Sequence, residues 1–148
     1  MPDKIHLTVA TVIECDNHFL LVREIREGRE VFNQPAGHVE PGESLVEAAI
    51  RETYEETAWR INPTGVISFG SYTSASNGVT YYRLALAAEA IEFDDSVTID
   101  SDIDEAVWLD YADILQKRSQ LRSPMVLQAI DDYRAKIIYP LDLLKTHR

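Results

Sequence analysis

Positive charge is scarce in this sequence. Its 148 residues carry 14 lysines and arginines against 25 aspartates and glutamates, a formal charge of −11. Non-specific nucleic-acid binding depends on Lys and Arg neutralising phosphates, so no nucleic-acid partner is expected. An anionic ligand would then need positive charge from a source other than this surface. Cysteine is nearly absent. Cys15 alone excludes an internal disulfide and a cysteine-rich metal site, and it reads as a small buried residue in a reducing compartment. No apolar run approaches the ~18 residues of a membrane span. The opening Met-Pro-Asp-Lys-Ile-His also lacks the basic-then-apolar order of a signal peptide. A cytoplasmic protein with no membrane partner is expected. Repeats, low-complexity tracts and Pro/Gly/Ser linkers are missing too, so residues 1–148 are read as one domain.

What is present suits a folded chain: at 45% hydrophobic residues it is too apolar for a disordered acidic polymer. Strand signals cover His6 to Glu14 and Phe19 to Arg23, joined through Asp16-Asn17-His18. The charged stretch Glu24 to Glu30 reads as an exposed, mobile loop, and Val31 to Gln34 as a short strand. Pro63-Thr64-Gly65 marks a turn before strand-like segments at Val66 to Thr73, Val79 to Ala88 and Ala106 to Leu109. Asn77-Gly78 is a hairpin signal between the first two of these. Ala112 to Arg118 and Pro124 to Lys136 read as helices, completing a mixed α/β pattern.

The clearest local feature is a helix from Leu45 to about Thr57. Ser44 followed by Glu47 forms a capping box, and Glu47 and Arg51 stand at i, i+4 in the favourable order. Val46, Ala49, Ile50 and Thr53 form the side expected to pack on a sheet. Glu52, Glu55 and Glu56 lie at i, i+3 and i+4, so three carboxylates project from one side. Such spacing is repulsive, and grouped oxygen ligands suit a hard divalent cation such as Mg²⁺ or Mn²⁺. A plain solvated acidic face is the competing reading. Ala48 and Ala49, flanking the acids, are expected to leave room for a ligand above the helix.

The segment GHVEPGESLVEAAIRETYEETAW, Gly37 to Trp59, resembles the Nudix box, G-x5-E-x7-R-E-U-x-E-E-x-G-U with U apolar. Gly37, Glu43, Arg51, Glu52, Glu55 and Glu56 fill six of its seven named positions, a coincidence with chance odds on the order of 10⁻⁴ or less. Two positions depart from it: Thr53 replaces an apolar residue, and Ala58 replaces the second glycine, at a cost of roughly 1 kcal/mol if the backbone there is left-handed. The resemblance implies an α/β/α sandwich around a central mixed sheet and metal-dependent hydrolysis of a diphosphate linkage. By position it implies Glu52, Glu55 and Glu56 as metal ligands, one of them also serving as base. Gly37 would lend its backbone near the metal, and Glu43 and Arg51 would brace the loop against the helix.

A further acid often lies outside the box before a Trp-bearing strand. Asp100, Asp102, Asp104 and Glu105 precede Trp108, and Asp102 is the preferred candidate, then Glu105. Arg23, Arg83 and His38 are candidates for substrate phosphate, with exposure or loop bracing as the plainer fates. Phe32, Tyr54, Tyr81 and Tyr82 are candidates for stacking on a base or for core packing. Beyond the box, Asn33 to His38, Ser101 to Asp104, Leu121 to Pro124 and Tyr139 to Leu141 resemble a bacterial subgroup of the family, the NudJ-type phosphatases. That likeness implies hydrolysis of nucleoside di- and triphosphates, hydroxymethylpyrimidine pyrophosphate and thiamine pyrophosphate. It also adds Arg122, beside a helix start, as a substrate contact. Alternatives are a pyrophosphatase of nucleoside diphosphate sugars such as ADP-ribose, and a non-catalytic ligand-sensing module. The expected partner is a small phosphorylated molecule; a monomer and a homodimer both remain open. Between Glu40 and Glu56 stand six glutamates against one arginine, so the charge deficit is concentrated where a divalent cation would offset it.

Overall fold

Seven strands and three helices are laid out in the computed structural model, which describes residues 4–148. They follow one another as β1 (Ile5–Cys15), β2 (His18–Arg26), β3 (Arg29–Asn33), β4 (Ala36–His38), α1 (Leu45–Thr57), β5 (Trp59–Thr73), β6 (Thr80–Phe93), β7 (Glu105–Asp110), α2 (Tyr111–Gln116) and α3 (Pro124–Arg134). The sheet runs β3-β2-β1-β6-β5, with β4 also on β1 and β7 on β2. It is mixed: β1 and β6 pair in parallel from Ile5↔Thr80 to Ile13↔Ala88, and the other strand pairs are antiparallel.

The central strands are apolar without alternation because both faces are covered. On one face Val9, Val66, Leu84 and Leu86 pack against Ala48 and Ala49 of α1. On the other, Val12, Ile67, Ala85 and Ala87 meet Ile114 of α2 and Ala129 and Ile130 of α3. This is the α/β/α sandwich expected from the sequence.

One edge of β1 is shared by two partners, and that division creates the site. β2 pairs with its end at Glu14↔Phe19, whereas β4 pairs with its first half, Thr8↔His38 to Ala10↔Ala36. The chain crossing between them, Asn33 to Ala36, lines a cleft between two halves of the sheet and is pinned where the Thr11 amide donates to the Pro35 carbonyl at 3.1 Å.

α1 has the expected limits, and its capping box is formed: Ser44 and Glu47 exchange side-chain-to-backbone hydrogen bonds. Thr53 is fully buried and shares a 2.9 Å hydrogen bond with Thr11, so a hydroxyl is satisfied where the box has an apolar residue. Ala58 is left-handed at φ 64°, as the box glycine position requires.

Several expectations fail, each because tertiary pairing overrides a local signal. Glu24 to Glu30 is no mobile loop: β2 and β3 continue through it to the Glu27-Gly28 turn, where both residues have positive φ. Pro63-Thr64-Gly65 lies inside β5 at register shifts, and no turn forms there. The Asn77-Gly78 hairpin closes through the longer connection 74–79. Ala48 and Ala49 are buried under the sheet and leave no room for a ligand, while Ile50 is turned outward. Glu47 meets Arg148, and Arg51 turns to other acids. Cys15 is exposed beside the first hairpin turn.

Candidate active site

Arg51 organises the outer acids of α1. Its Nε and Nη2 donate to the two carboxylate oxygens of Glu43 at 2.6 and 2.9 Å, the bidentate fork that only a guanidinium makes. Nη2 also donates to the His38 carbonyl at 3.1 Å, tying the loop 37–44 to the helix. Nη1 donates to Glu52 at 2.9 Å and Glu55 at 3.2 Å, bridging two of the three helix carboxylates. Glu43 is held below the usual carboxylate range by this contact.

Gly37 faces Glu52 so closely that a Cβ at this position would overlap the Glu52 carboxyl group. A box glycine is needed here for space, not for its backbone angles. Glu52 is half-buried, and burial pushes its carboxyl up. Glu56 lies deeper in the cleft and accepts from the Ala36 amide at 3.0 Å. Burial, with Glu52, Glu24 and Asp100 nearby, pushes Glu56 up to about 8. Glu55 is the exposed member of the three.

The donor set fits a hard divalent cation: crowded carboxylate oxygens from one helix face, of which the Arg51 guanidinium reaches only Glu52 and Glu55. Among the described residues, no three such side chains are already gathered in coordination geometry. Arg51 Nη1 bridges Glu52 and Glu55, the charge-neutralising role a cation would assume.

The remaining candidates separate clearly. Arg83 enters the cleft and is buried, with Nη1 donating to Gln34 at 2.9 Å and Nη2 to Asn33 at 2.7 Å. Burial and the nearby Arg122 charge lower its guanidinium to about 10, while Glu56 opposes that shift. Arg122 donates to Glu24 at 3.1 Å, and its amide donates to the Phe32 carbonyl. Arg23 shares the strand face of Leu21 and Phe32, away from α1, and pairs with Glu105 at 3.3 Å and Glu30 at 3.5 Å. It is not brought to the helix carboxylates. The His38 ring meets His6 at 2.9 Å, and its carbonyl serves Arg51. Phe32 is core; Tyr54 hydrogen-bonds Asp94 beneath the Arg60 guanidinium.

The acid whose charge reaches Glu52 and Glu56 is Asp100 and not the preferred Asp102. The Asp100 amide donates to the Glu55 carbonyl at 2.8 Å, holding the loop on α1. Asp102 is exposed and gives its amide to Asp100; Asp104 caps the Ile25 amide at 2.7 Å.

Sequence reasoning missed Glu24, Asn33 and Gln34 as members of the cleft. For Glu24 a signal existed: it alternates in phase with Leu20 and Val22, so a continuing strand carries it to a buried face.

A box that couples an acidic helix to a glycine loop, on a split mixed sheet, defines a Nudix hydrolase. A family model for the NUDIX domain matches residues 4–129, and the chain belongs to that family. The chain is 39% identical over 141 residues to Phosphatase NudJ of Escherichia coli strain K12, covering 95% of this chain and 91% of the relative. Its fold matches a NUDIX hydrolase from Nitrosomonas europaea at a TM-score of 0.94 and 42% identity, over 97% of this chain and 98% of that one. A MutT protein from Methanosarcina mazei Go1 shares the fold at a TM-score of 0.67 and 20% identity, over 89% of this chain and 95% of that one. Among the described residues no helix is long and apolar enough to cross a membrane.

Proposed function

We propose that this chain, acting as one Nudix domain, hydrolyses phosphoanhydride bonds in nucleoside di- and triphosphates and in thiamine-related pyrophosphates, with Mg²⁺ as cofactor. The observation that carries this reading is the meeting of opposite charges at the β3–β4 crossing: Ala36 at one end holds Glu56 of the acidic helix face, and Asn33 and Gln34 at the other hold the buried Arg83. The likeness to Phosphatase NudJ over nearly the whole chain supports phosphate release as the reaction.

Glu52, Glu55 and Glu56 would hold the cation, with Gly37 giving the Glu52 carboxyl group room beside it. Bound there, it would shield phosphate charge, lower the pKa of water and stabilise the leaving oxygen. The protein's own groups do the rest. Arg83 and Arg122 attract and orient the phosphate, and Arg51 with Glu43 holds loop and helix in register. The partial burial of Glu56 excludes bulk water, which strengthens each charge interaction in the cleft.

The test is a Mg²⁺-dependent phosphate-release screen across nucleotides, nucleotide sugars and thiamine-related pyrophosphates. Orthophosphate from nucleoside triphosphates or from hydroxymethylpyrimidine pyrophosphate is the expected product. AMP plus sugar phosphate from ADP-ribose would assign a nucleotide-sugar pyrophosphatase instead. Glu55→Gln and Glu56→Gln should each remove most turnover while the protein stays folded. Wild-type rates in both variants would remove the metal assignment.

A further inference from the structure

Arg83 is the one buried cation among the described residues, and no carboxylate is bonded to it. The chain has acids to spare, yet both side chains that touch the guanidinium are neutral amides. Arg51, by contrast, touches four glutamates, and Arg23 and Arg60 touch two acids each. Gln34 is itself fully buried and fixed at its other end, where Nε2 donates to the Val126 carbonyl of α3 at 2.8 Å. Its amide thus has one orientation, with Oε1 facing Arg83. Asn33 supplies the second acceptor, and a guanidinium with five N–H groups keeps others free. Arg122 adds like charge nearby, and its own bonded acid is Glu24.

We infer that Gln34 and Asn33 are positioning residues that aim Arg83 without bonding a carboxylate to it, so that a phosphate oxygen of the substrate becomes its bonded counter-ion. This rests on the proposed hydrolysis and adds to it a reason for amides at these two positions. A carboxylate at position 33 would orient the guanidinium equally well and consume the charge; one at position 34 would consume the charge and also forfeit the bond to Val126. The fixed Gln34 also links α3 to the cleft: Val126, Gln34 and Arg83 form one chain of hydrogen bonds across the β3–β4 crossing.

The test is Gln34→Glu, nearly isosteric, with Asn33→Asp as a second variant at a less buried position. Steady-state phosphate release with Mg²⁺ should show KM raised about tenfold or more, from loss of a charge-assisted contact, with kcat changed much less. In Asn33→Asp the melting temperature should hold or rise, because an ion pair with Arg83 is completed; in Gln34→Glu it should fall, because a carboxylate cannot donate to the Val126 carbonyl. A purely structural role for the two amides would leave KM alone in both variants, whatever the melting temperature did. Unchanged KM in both folded variants would overturn the inference. If Gln34→Glu does not fold, Asn33→Asp alone decides. If the wild type hydrolyses nothing in the screen, the proposed function falls, and calorimetric binding of inorganic pyrophosphate with Mg²⁺ still reads the inference. Binding about tenfold weaker in the variants supports it, and equal binding, or none to the wild type, overturns it.

Discussion

Arg51 and Arg83 set two regions of the molecule side by side. Arg51 stands at the surface of α1 among Glu40, Glu43, Glu52 and Glu55, and every N–H that it directs at a side chain meets a carboxylate. Arg83 lies buried in the cleft with amide oxygens alone. In the first region the guanidinium is spent on architecture, holding the loop 37–44 against the helix. In the second its charge is left over. The regions also differ in how they are built. The box is nearly contiguous in sequence, from Gly37 to Ala58, whereas the cleft gathers Glu24, Asn33, Gln34, Arg83 and Arg122 from five elements or connections. A surface acid–base cluster tolerates rearrangement at small cost, and a buried charge does not.

Gly37→Ala should break the first region and spare the second, with the largest effect. The added methyl would occupy the space of the Glu52 carboxyl group, and Glu52 is tethered by Arg51 Nη1 at 2.9 Å. Only the end of one side chain must move, so the melting temperature should shift little. Catalysis is less forgiving, since displacing a reacting group by about 1 Å can cost about a hundredfold in rate. We expect kcat to fall by that order with KM nearly unchanged, the reverse of the pattern expected for Gln34→Glu. Variants that both lowered kcat and KM in proportion would show that box and cleft are one unit. Steady-state kinetics on the same substrate makes the comparison.

The same division separates what is legible in the amino-acid sequence from what is not. The box helix, its cap, its limits and the left-handed Ala58 are legible because each depends on neighbours within four residues. The sandwich itself follows from the resemblance carried by those residues. The cleft is not legible, because its logic is tertiary. Glu24 looks like part of a solvated charged run until β2 pairs with β3 at Glu24↔Val31 and extends the strand that carries it inward. Gln34 is an unremarkable amide until α3 places the Val126 carbonyl beside it. Arg23 and Arg83 look alike in sequence, and only the sheet register sends one to Glu30 and Glu105 and the other to the cleft.

Glu56 belongs to both regions, and its protonation offers a second, intermediate effect. Its ordinary carboxyl value of 4.5 is pushed up to about 8 by burial first and then by the neighbouring acids. Between these values the unfolded chain has released a proton that folded Glu56 retains, so stability is fully present below pH 4.5 and is lost as pH rises through about 8. Metal-free protein should therefore melt at a lower temperature at pH 8 than at pH 5. A divalent cation favours the ionised carboxylate, so Mg²⁺ should raise the melting temperature more at pH 8 than at pH 5. Glu56→Gln should flatten both dependences. Thermal melts across pH, with Mg²⁺ and with chelator, check this without any turnover. A wild-type profile as flat as that of the variant would place the proton elsewhere and detach Glu56 from the cation.

The smallest effect is expected at the box's own departure, Ala58→Gly. Ala58 ends α1 at φ 64°, where its amide donates to the Tyr54 carbonyl at 2.9 Å, and its carbonyl accepts from the Asp94 amide at 2.9 Å. A left-handed alanine costs about 1 kcal/mol relative to glycine. Against this, Ala58 is 2% exposed, so its methyl is packed, and removing a buried methyl costs about 0.8 kcal/mol. The two terms nearly cancel, and the melting temperature should move by less than about 4 °C. Both hydrogen bonds are made by the backbone and survive the change. Since Glu55 and Glu56 precede this exit by three and two residues and are held from elsewhere, kcat and KM should match the wild type. A large change in kcat would mean that the exit angle of α1 aims the carboxylates, and the box would then extend functionally to its last position.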